Sequence, residues 1–367
     1  MEHNGIGDEG AAALAQVLRT NATMQSLVLV GNGIGHQGAA ALGEMLEVND
    51  TLQCLDLWMN AVRELGATAL AEALTRNTVL RTLNLRCNRI GDVGAAALAK
   101  GLAGRNRSLH HLELSMNEVG NSGATALAQL LGGNTALKNL GLWDNEIGRS
   151  GALALAKGLG SQACTLERLD LQGNNIGADG AAALAAALAS NTSLRVLSMS
   201  ENDIGDDGAN AFASALLKNT TLWHLGLEEN MIGPRGAAGL ASGLKSPACA
   251  LERLDLTGNK VDAQGAGALC GSLQSNTRLR VLNLGRNGIG NGGAEALAEM
   301  LTANTGLRAL EALLTALQDR SAAAMLKSVI IVRNSISGEL KRALENLISQ
   351  HQHSLALQQQ KRRRRLL

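Results

Sequence analysis

The chain has 367 residues, with 33 basic against 32 acidic side chains and a formal net charge of +1, which excludes a chain-wide electrostatic footprint for nucleic acid or an anionic membrane. Tyr is absent, Phe occurs once and Trp three times against 43 glycines, so the interior has to be built from Leu and Ala rather than from large rings. The five cysteines, Cys54, Cys87, Cys164, Cys249 and Cys270, are an odd and scattered set without CxxC, which points to neither a disulfide framework nor a zinc site.

In chain order, the first element is Asn4 followed by a helix from about Asp8 to Leu18, without the strand that ought to precede them. This helix reads either as a makeshift cap or as the start of a fragment of something longer. The opening MEHNGIGDEG lacks a basic stretch followed by an apolar one, and no segment approaches the roughly 20 apolar residues of a membrane span. The expectation is a soluble cytoplasmic protein.

From there one pattern recurs, LxxLxLxxN, carried by Leu80, Leu83, Leu85 and Asn88 and again by Leu279, Leu282, Leu284 and Asn287. Its asparagines are Asn4, Asn32, Asn60, Asn88, Asn117, Asn145, Asn174, Asn202, Asn230, Asn259 and Asn287, spaced by 28 or 29 residues. A stretch close to I/V-G-x-x-G-A-x-A-L-A-x-x-L follows each, as in residues 90–102, with apolar positions at helical spacing.

The alternating end of LxxLxL predicts a short strand with its leucines inward and the residues between them outward. The asparagine then sits where the chain turns, and its amide, donor and acceptor together, suits a structural ladder from repeat to repeat. A second row, Asn21, Asn49, Asn77, Asn106, Asn134, Asn191, Asn219, Asn276 and Asn304, falls just past each helix and is expected in the left-handed conformation that ends a helical turn. Cys164 and Cys249 take that place in two repeats. Five of these positions form Asn-x-Ser/Thr sequons, at Asn21, Asn49, Asn106, Asn191 and Asn219, without a secretion signal to accompany them.

After Asn287 the pattern falters, with Thr315 where Asn is expected, and a last unit returns at Leu326, Val329, Ile331 and Asn334. Leu340, Leu344, Leu347 and Ile348 predict an amphipathic capping helix over 338–350. Residues 351–367 are polar and then basic, and the run from Lys361 to Arg365 reads as a nuclear-import signal or as a solvated end. Strands on one side and wider helices on the other predict an α/β solenoid curved into a horseshoe, its parallel sheet on the concave face and its helices on the convex face. It covers residues 1–337 in about twelve units, the first incomplete and 307–337 divergent.

These residues resemble leucine-rich repeats of the ribonuclease-inhibitor subclass over about residues 1–310, most closely the repeats of NOD-like receptors, as in NTTLWHLGLEENMIGPRGAAGLASGL (residues 219–244). The resemblance implies a surface for binding another protein. Intact NOD-like receptors also carry a nucleotide-binding module, but GxxxxGK[ST] occurs nowhere in this chain. The repeats are similar as well to those of Ran GTPase-activating proteins, which implies a GTPase regulator as the alternative function. That family typically ends in a long acidic segment, whereas this chain ends in KRRRRLL.

Catalytic chemistry finds no candidates. HExxH and GxSxG are absent, and the seven histidines share no metal-ligand spacing on one helix face. Three GxGxxG matches begin at Gly5, Gly33 and Gly288; their second and third glycines belong to the repeat itself, and the first is a variable position that happens to be Gly. No cofactor, metal, small-molecule substrate or membrane is expected, and nucleic acid only through the basic tail.

The outward strand positions are where the scaffold leaves choice. After the middle leucine they read Val28, Asp56, Asn84, Glu113, Gly141, Asp170, Ser198, Gly226, Asp255 and Asn283. After the last they include Trp58, Arg86, Trp143, Gln172 and Glu228. Trp58 and Trp143 occupy one position three repeats apart, about 15 Å along the sheet at ~4.8 Å per strand. Trp and Arg dominate protein interfaces, so the partner-binding set is expected to be Trp58, Arg86, Glu113, Trp143, Asp170 and Trp223.

Overall fold

The structure, a computed structural model, describes residues 1–104 and 106–307. The expected divergent unit, capping helix and basic tail beyond Leu307 lie outside the described residues. The chain falls into two units, 1–202 and 203–367, taken separately below.

In residues 1–202 strands and helices alternate without exception. The helices are α1 (Gly7–Leu18), α2 (His36–Leu46), α3 (Arg63–Leu74), α4 (Gly91–Ala103), α5 (Asn121–Leu131), α6 (Arg149–Leu159) and α7 (Gly177–Leu188). Between them run β1 (Ser26–Val28), β2 (Cys54–Asp56), β3 (Thr82–Asn84), β4 (His111–Glu113), β5 (Asn139–Gly141) and β6 (Arg168–Asp170), with β7 (Val196–Ser198) last. The seven strands form one parallel sheet in sequence order. The register is the repeat itself: Leu55 stands opposite Leu83, Leu83 opposite Leu112, Leu112 opposite Leu140. Residues 203–307 continue the scheme with α8 (Gly205–Leu216), β8 (His224–Gly226), α9 (Pro234–Leu244), β9 (Arg253–Asp255), α10 (Ala263–Leu273), β10 (Val281–Asn283) and α11 (Gly290–Ala303). There β8, β9 and β10 pair in parallel. An α/β solenoid with helices on one side of a parallel sheet is what the two periods, 2 and 3.6, predicted.

The core is a stack of leucine layers. Leu83 and Leu85 of the strand segment and Leu98 and Leu102 of the following helix are at most 1% exposed, and the equivalent leucines behave alike. Helices approach closely because glycine faces backbone: a Cβ on Gly158 would stand 2.4 Å from the Ala128 carbonyl oxygen of the preceding helix. No larger residue fits there without parting the two helices.

Two asparagine ladders tie the layers. In the first, the Asn117 carboxamide oxygen accepts from the Asn88 and Ile90 N–H groups at 2.9 and 3.3 Å, while its nitrogen donates to the Leu85 and Ser115 carbonyls at 2.8 and 3.0 Å. Asn145 repeats the pattern on Asn117 and Val119. The second row departs from expectation. None of its residues has a left-handed backbone. Asn77 is 4% exposed and donates to the Leu46 and Asn49 carbonyls of the preceding repeat, while accepting from the N–H groups of Val79 and Leu80. It is a second inter-repeat ladder rather than a turn residue, and the burial of Asn49, Asn106, Asn191 and Asn219 leaves four of the five sequons without room for a glycan in the folded chain.

Helix starts are held in an equally non-local way. The helices α2, α5, α6 and α9 begin at Gly35, Gly120, Gly148 and Gly233, which have no side chain to cap with. The preceding helix supplies the cap: Asp8 accepts from the N–H groups of Gly35 and Gly38, Asp92 from Gly120 and Gly123, Asn121 from Gly148 and Gly151, and Asp206 from Gly233 and Gly236, all at 2.6–3.0 Å.

Candidate protein-binding surface

In residues 1–202 the open face of the sheet carries three outward positions per repeat. The one after the middle leucine has a local duty. Asp56, Asn84, Glu113 and Asp170 each turn a side-chain oxygen back onto the N–H two residues on, that of Trp58, Arg86, Ser115 and Gln172, at 2.9–3.1 Å. These groups satisfy the chain as it leaves the strand, where the ladder of backbone bonds ends. Each carboxylate keeps a second oxygen for other use.

The next outward position runs Trp58, Arg86, Ser115, Trp143. Here the structure differs from the expected spacing in an informative way. The Arg86 guanidinium carbon lies 5.1 Å from the Trp58 ring centroid and 4.3 Å from that of Trp143, so both indoles lean onto one cation instead of standing about 15 Å apart. Ser115 makes this possible. It is buried and small, its hydroxyl donates to the Glu113 carboxylate and accepts from the Trp143 N–H at 3.0 Å, and it leaves the space above it to Arg86 and Trp143.

The guanidinium is bound by little else. One Nη donates weakly to the Met116 sulfur at 3.5 Å, and the buried Nε has no partner. Arg86 forms no ion pair among the described residues. Carboxylates share its face: Glu113 reaches over Gly141, where a Cβ would stand 2.2 Å from both its oxygens, towards Asp170 on the far side. Burial pushes the Asp170 carboxyl up from its ordinary range; the Gln172 N–H opposes this, Glu113 adds to it, and Arg168 and Arg86 pull it back. Glu113, Asp170 and Arg86 thus form one electrostatic group on the face, rimmed by two indoles.

Beyond this row a groove of about 500 Å³ opens along the strand exits, lined by Met59, Cys87, Met116, Arg89, Glu118, Asp144 and Glu146 among others. Met59, Cys87, Met116 and Asp144 all have φ between 52° and 58°. Side chains rarely accept this left-handed backbone, and here it recurs at the residue before each ladder asparagine. Sequence reading missed this groove; the signal available was the apolar Met59 and Met116 at a position that turns outward.

Trp223 belongs to the second unit and to another register. It precedes β8, whereas Trp58 and Trp143 follow β2 and β5. It is 37% exposed, and its ring lies 5.6 Å from that of His224. Among the described residues no three His, Cys, Asp or Glu side chains could hold a metal ion, and no helix is long and apolar enough to cross a membrane. The thiols of Cys164, Cys249 and Cys270 are buried, which raises their pKa, that of Cys270 to about 12.

The repeat, its two ladders and the stacked α/β units define the class. A family model described as Leucine Rich repeat matches residues 1–15, 20–43, 76–99, 105–128, 162–185, 190–213, 249–270 and 275–298. The chain is a leucine-rich-repeat protein. Comparison with curated proteins finds no match. Solved structures similar in fold include an internalin from Listeria monocytogenes str. 4b F2365, at 19% identity over 93% of each chain with a TM-score of 0.48. TLR13 in a TLR13–ssRNA13 complex matches at 19% identity over 87% of this chain and 37% of its own, with a TM-score of 0.49. A yeast Rad7–Elc1 complex matches at 16% identity over 82% of each chain, with a TM-score of 0.43.

Proposed function

We propose that the protein is a non-catalytic scaffold of the ribonuclease-inhibitor subclass that binds another protein through the open face of its sheet, centred on Trp58, Arg86, Glu113, Trp143 and Asp170. The carrying observation is the guanidinium held between two indoles with its Nε unpaired, beside two carboxylates that form no ion pair among the described residues. Half-buried rings and desolvated charges on an otherwise structural sheet are the makings of an interface centre. Trp223, exposed on the second unit, is a further contact point. The subclass rests on the 28- or 29-residue period and on a full helix of 11–14 residues in every repeat. A cytoplasmic or nuclear setting fits five cysteines of which none is paired.

Affinity capture from the source lysate with the intact chain and with a Trp143→Ala, Asp170→Arg double variant tests this reading. A protein retained by the first and lost by the second supports it; equal recovery moves the site to the helical side or the basic tail. The rival function, regulation of a GTPase, predicts that the chain stimulates GTP hydrolysis by Ran. Marked stimulation would replace the passive scaffold.

A further inference from the structure

The strands of the first unit begin at a lip whose charges follow an instructive pattern. One position per repeat, just after the first leucine, reads Gln53, Arg81, His110, Lys138, Glu167 and Arg195. At its far end the lip neutralises itself: Glu167 lies 3.5 Å from Lys138 and 3.7 Å from Arg195. The second unit does the same at the equivalent position, where Arg280 meets Glu252 at 3.1 Å. Alternating signs across adjacent strands is what a scaffold with no other demand on it would show, since like charges one strand spacing apart repel.

Around β3 and β4 the pattern breaks. Two adjoining grooves of about 410 and 430 Å³ open there, sharing Arg81 and His110; the first adds His111, Thr82 and Asn139, the second Arg107. Every ionisable side chain lining them is basic. Arg81, Arg107, His110 and His111 have no ion pair among the described residues. The groove at the other ends of the same strands has the opposite balance, with Glu118, Asp144 and Glu146 against Arg89. The sheet face is therefore polarised along its strands, cationic where they start and anionic where they end.

We propose that the grooves around Arg81, Arg107, His110 and His111 dock an acidic segment of a protein partner, with its carboxylates forked by the two guanidiniums. A single-stranded nucleic acid fits less well. Its bases need aromatic platforms between the cations, and the indoles of Trp58 and Trp143 stand at the opposite ends of the strands. The chain's net charge of +1 also gives a polyanion no long-range attraction. This site is separate from the Trp58–Arg86–Trp143 centre, so either reading can fail alone.

The test titrates the full chain with a fluorescein-labelled twelve-residue Glu/Gly peptide. An Arg81→Glu, Arg107→Glu variant, its Arg81→Gln, Arg107→Gln counterpart and Trp143→Ala are titrated alongside, each checked for an unchanged thermal melt. Supporting results are saturable binding that weakens at least tenfold in the Glu pair, weakens less in the Gln pair, and is unchanged by Trp143→Ala. Carbodiimide coupling adds a second readout, because Lys138 holds the lip position on the strand beside His110 and a peptide adduct there places the carboxylates on this lip. Binding that survives the Glu pair, or adducts confined to Lys361, assigns the peptide to the basic tail and overturns the proposal. So does tighter binding of an oligouridylate of equal length.

Discussion

Arg86 and Trp143 meet although the strand carrying Ser115 lies between theirs: the guanidinium carbon stands 4.3 Å from the indole centroid. A cation held on an aromatic face with partial desolvation contributes about 1 kcal/mol. A double-mutant cycle of Arg86→Ala and Trp143→Ala, read from urea melts, is expected to give a coupling energy of that size. Arg86→Lys should lose most of it, since an ammonium cannot lie flat between two rings. A coupling near zero would mean that the stack is incidental.

Asp170 carries a cost at neutral pH. Its carboxyl is raised above the ordinary range chiefly by burial, so the folded chain holds that proton more tightly than the unfolded one. Stability from this group is therefore present below the ordinary carboxylate range and lost as pH rises through the folded value. Asp170→Asn keeps an oxygen for the Gln172 N–H and removes the charge. The variant should melt higher than the parent at pH 7, with the advantage shrinking towards pH 4; an advantage that grows on acidification would contradict the assignment.

Removing one rung from either ladder takes hydrogen bonds from several buried backbone groups. Asn117→Ala strands the N–H groups of Asn88 and Ile90, while the carbonyls of Leu85 and Ser115 lose one donor each and keep the Asn88 carboxamide and the Cys87 N–H; the change should cost about 3 kcal/mol. Asn77→Ala should cost a similar amount, which a turn residue just past a helix would not. Denaturant melts of the two variants, with an exposed-surface change such as Thr20→Ala as reference, check both figures.

Two glycines on the same unit should respond differently to one methyl group. At Gly158 the new Cβ meets the Ala128 backbone oxygen of a neighbouring helix, and Gly158→Ala should cost about 1–3 kcal/mol of overpacking. At Gly141 the nearest atoms are the carboxylate end of the Glu113 side chain, which can turn aside at the cost of its bonds to Ser115. Gly141→Ala should cost about 1 kcal/mol, less than Gly158→Ala, for the bond Glu113 gives the Ser115 N–H, while weakening partner binding because Glu113 is driven off its seat; surface plasmon resonance with the captured partner separates the two effects.

A thiol reagent applied to the native chain should read two cysteines and not five. Cys54 and Cys87 are half-buried on the strand side, whereas Cys164, Cys249 and Cys270 are buried with raised pKa values. Addition of denaturant should release the other three. Fast reaction of all five under native conditions would mean that the repeats open readily.

What could be read from the letters, and what could not, follows the range of the interactions. LxxLxLxxN places Leu83, Leu85 and Asn88 by local alternation, and the same local rule puts Arg86 and Glu113 on the outward side. The second asparagine row was misread because N-x-x-L past a helix looks the same whether the side chain ends its own turn or reaches a carbonyl one repeat back, as Asn77 does to Leu46. The convergence of Trp58 and Trp143 on Arg86 depends on the small Ser115 two strands from one ring and next to the other, a relationship visible only when repeats are laid side by side. Asp170, expected to face a partner, has one oxygen engaged in holding its own strand exit, a bond to the Gln172 N–H that the outward position alone does not announce.

The helix caps lent by Asp8, Asp92, Asn121 and Asp206 to the helix that follows give the modules a reading direction. Donor and recipient belong to different repeats, and at each of these four joints an acidic or amide residue in the second or first place of one helix precedes a Gly-capped helix in the next. Copying a module in tandem preserves that grammar only where the unit both lends and borrows, as the one with α5 does through Asn121 and Gly120. Such a unit is the natural currency for lengthening the protein by duplication, and units that only borrow are the natural places for the series to break.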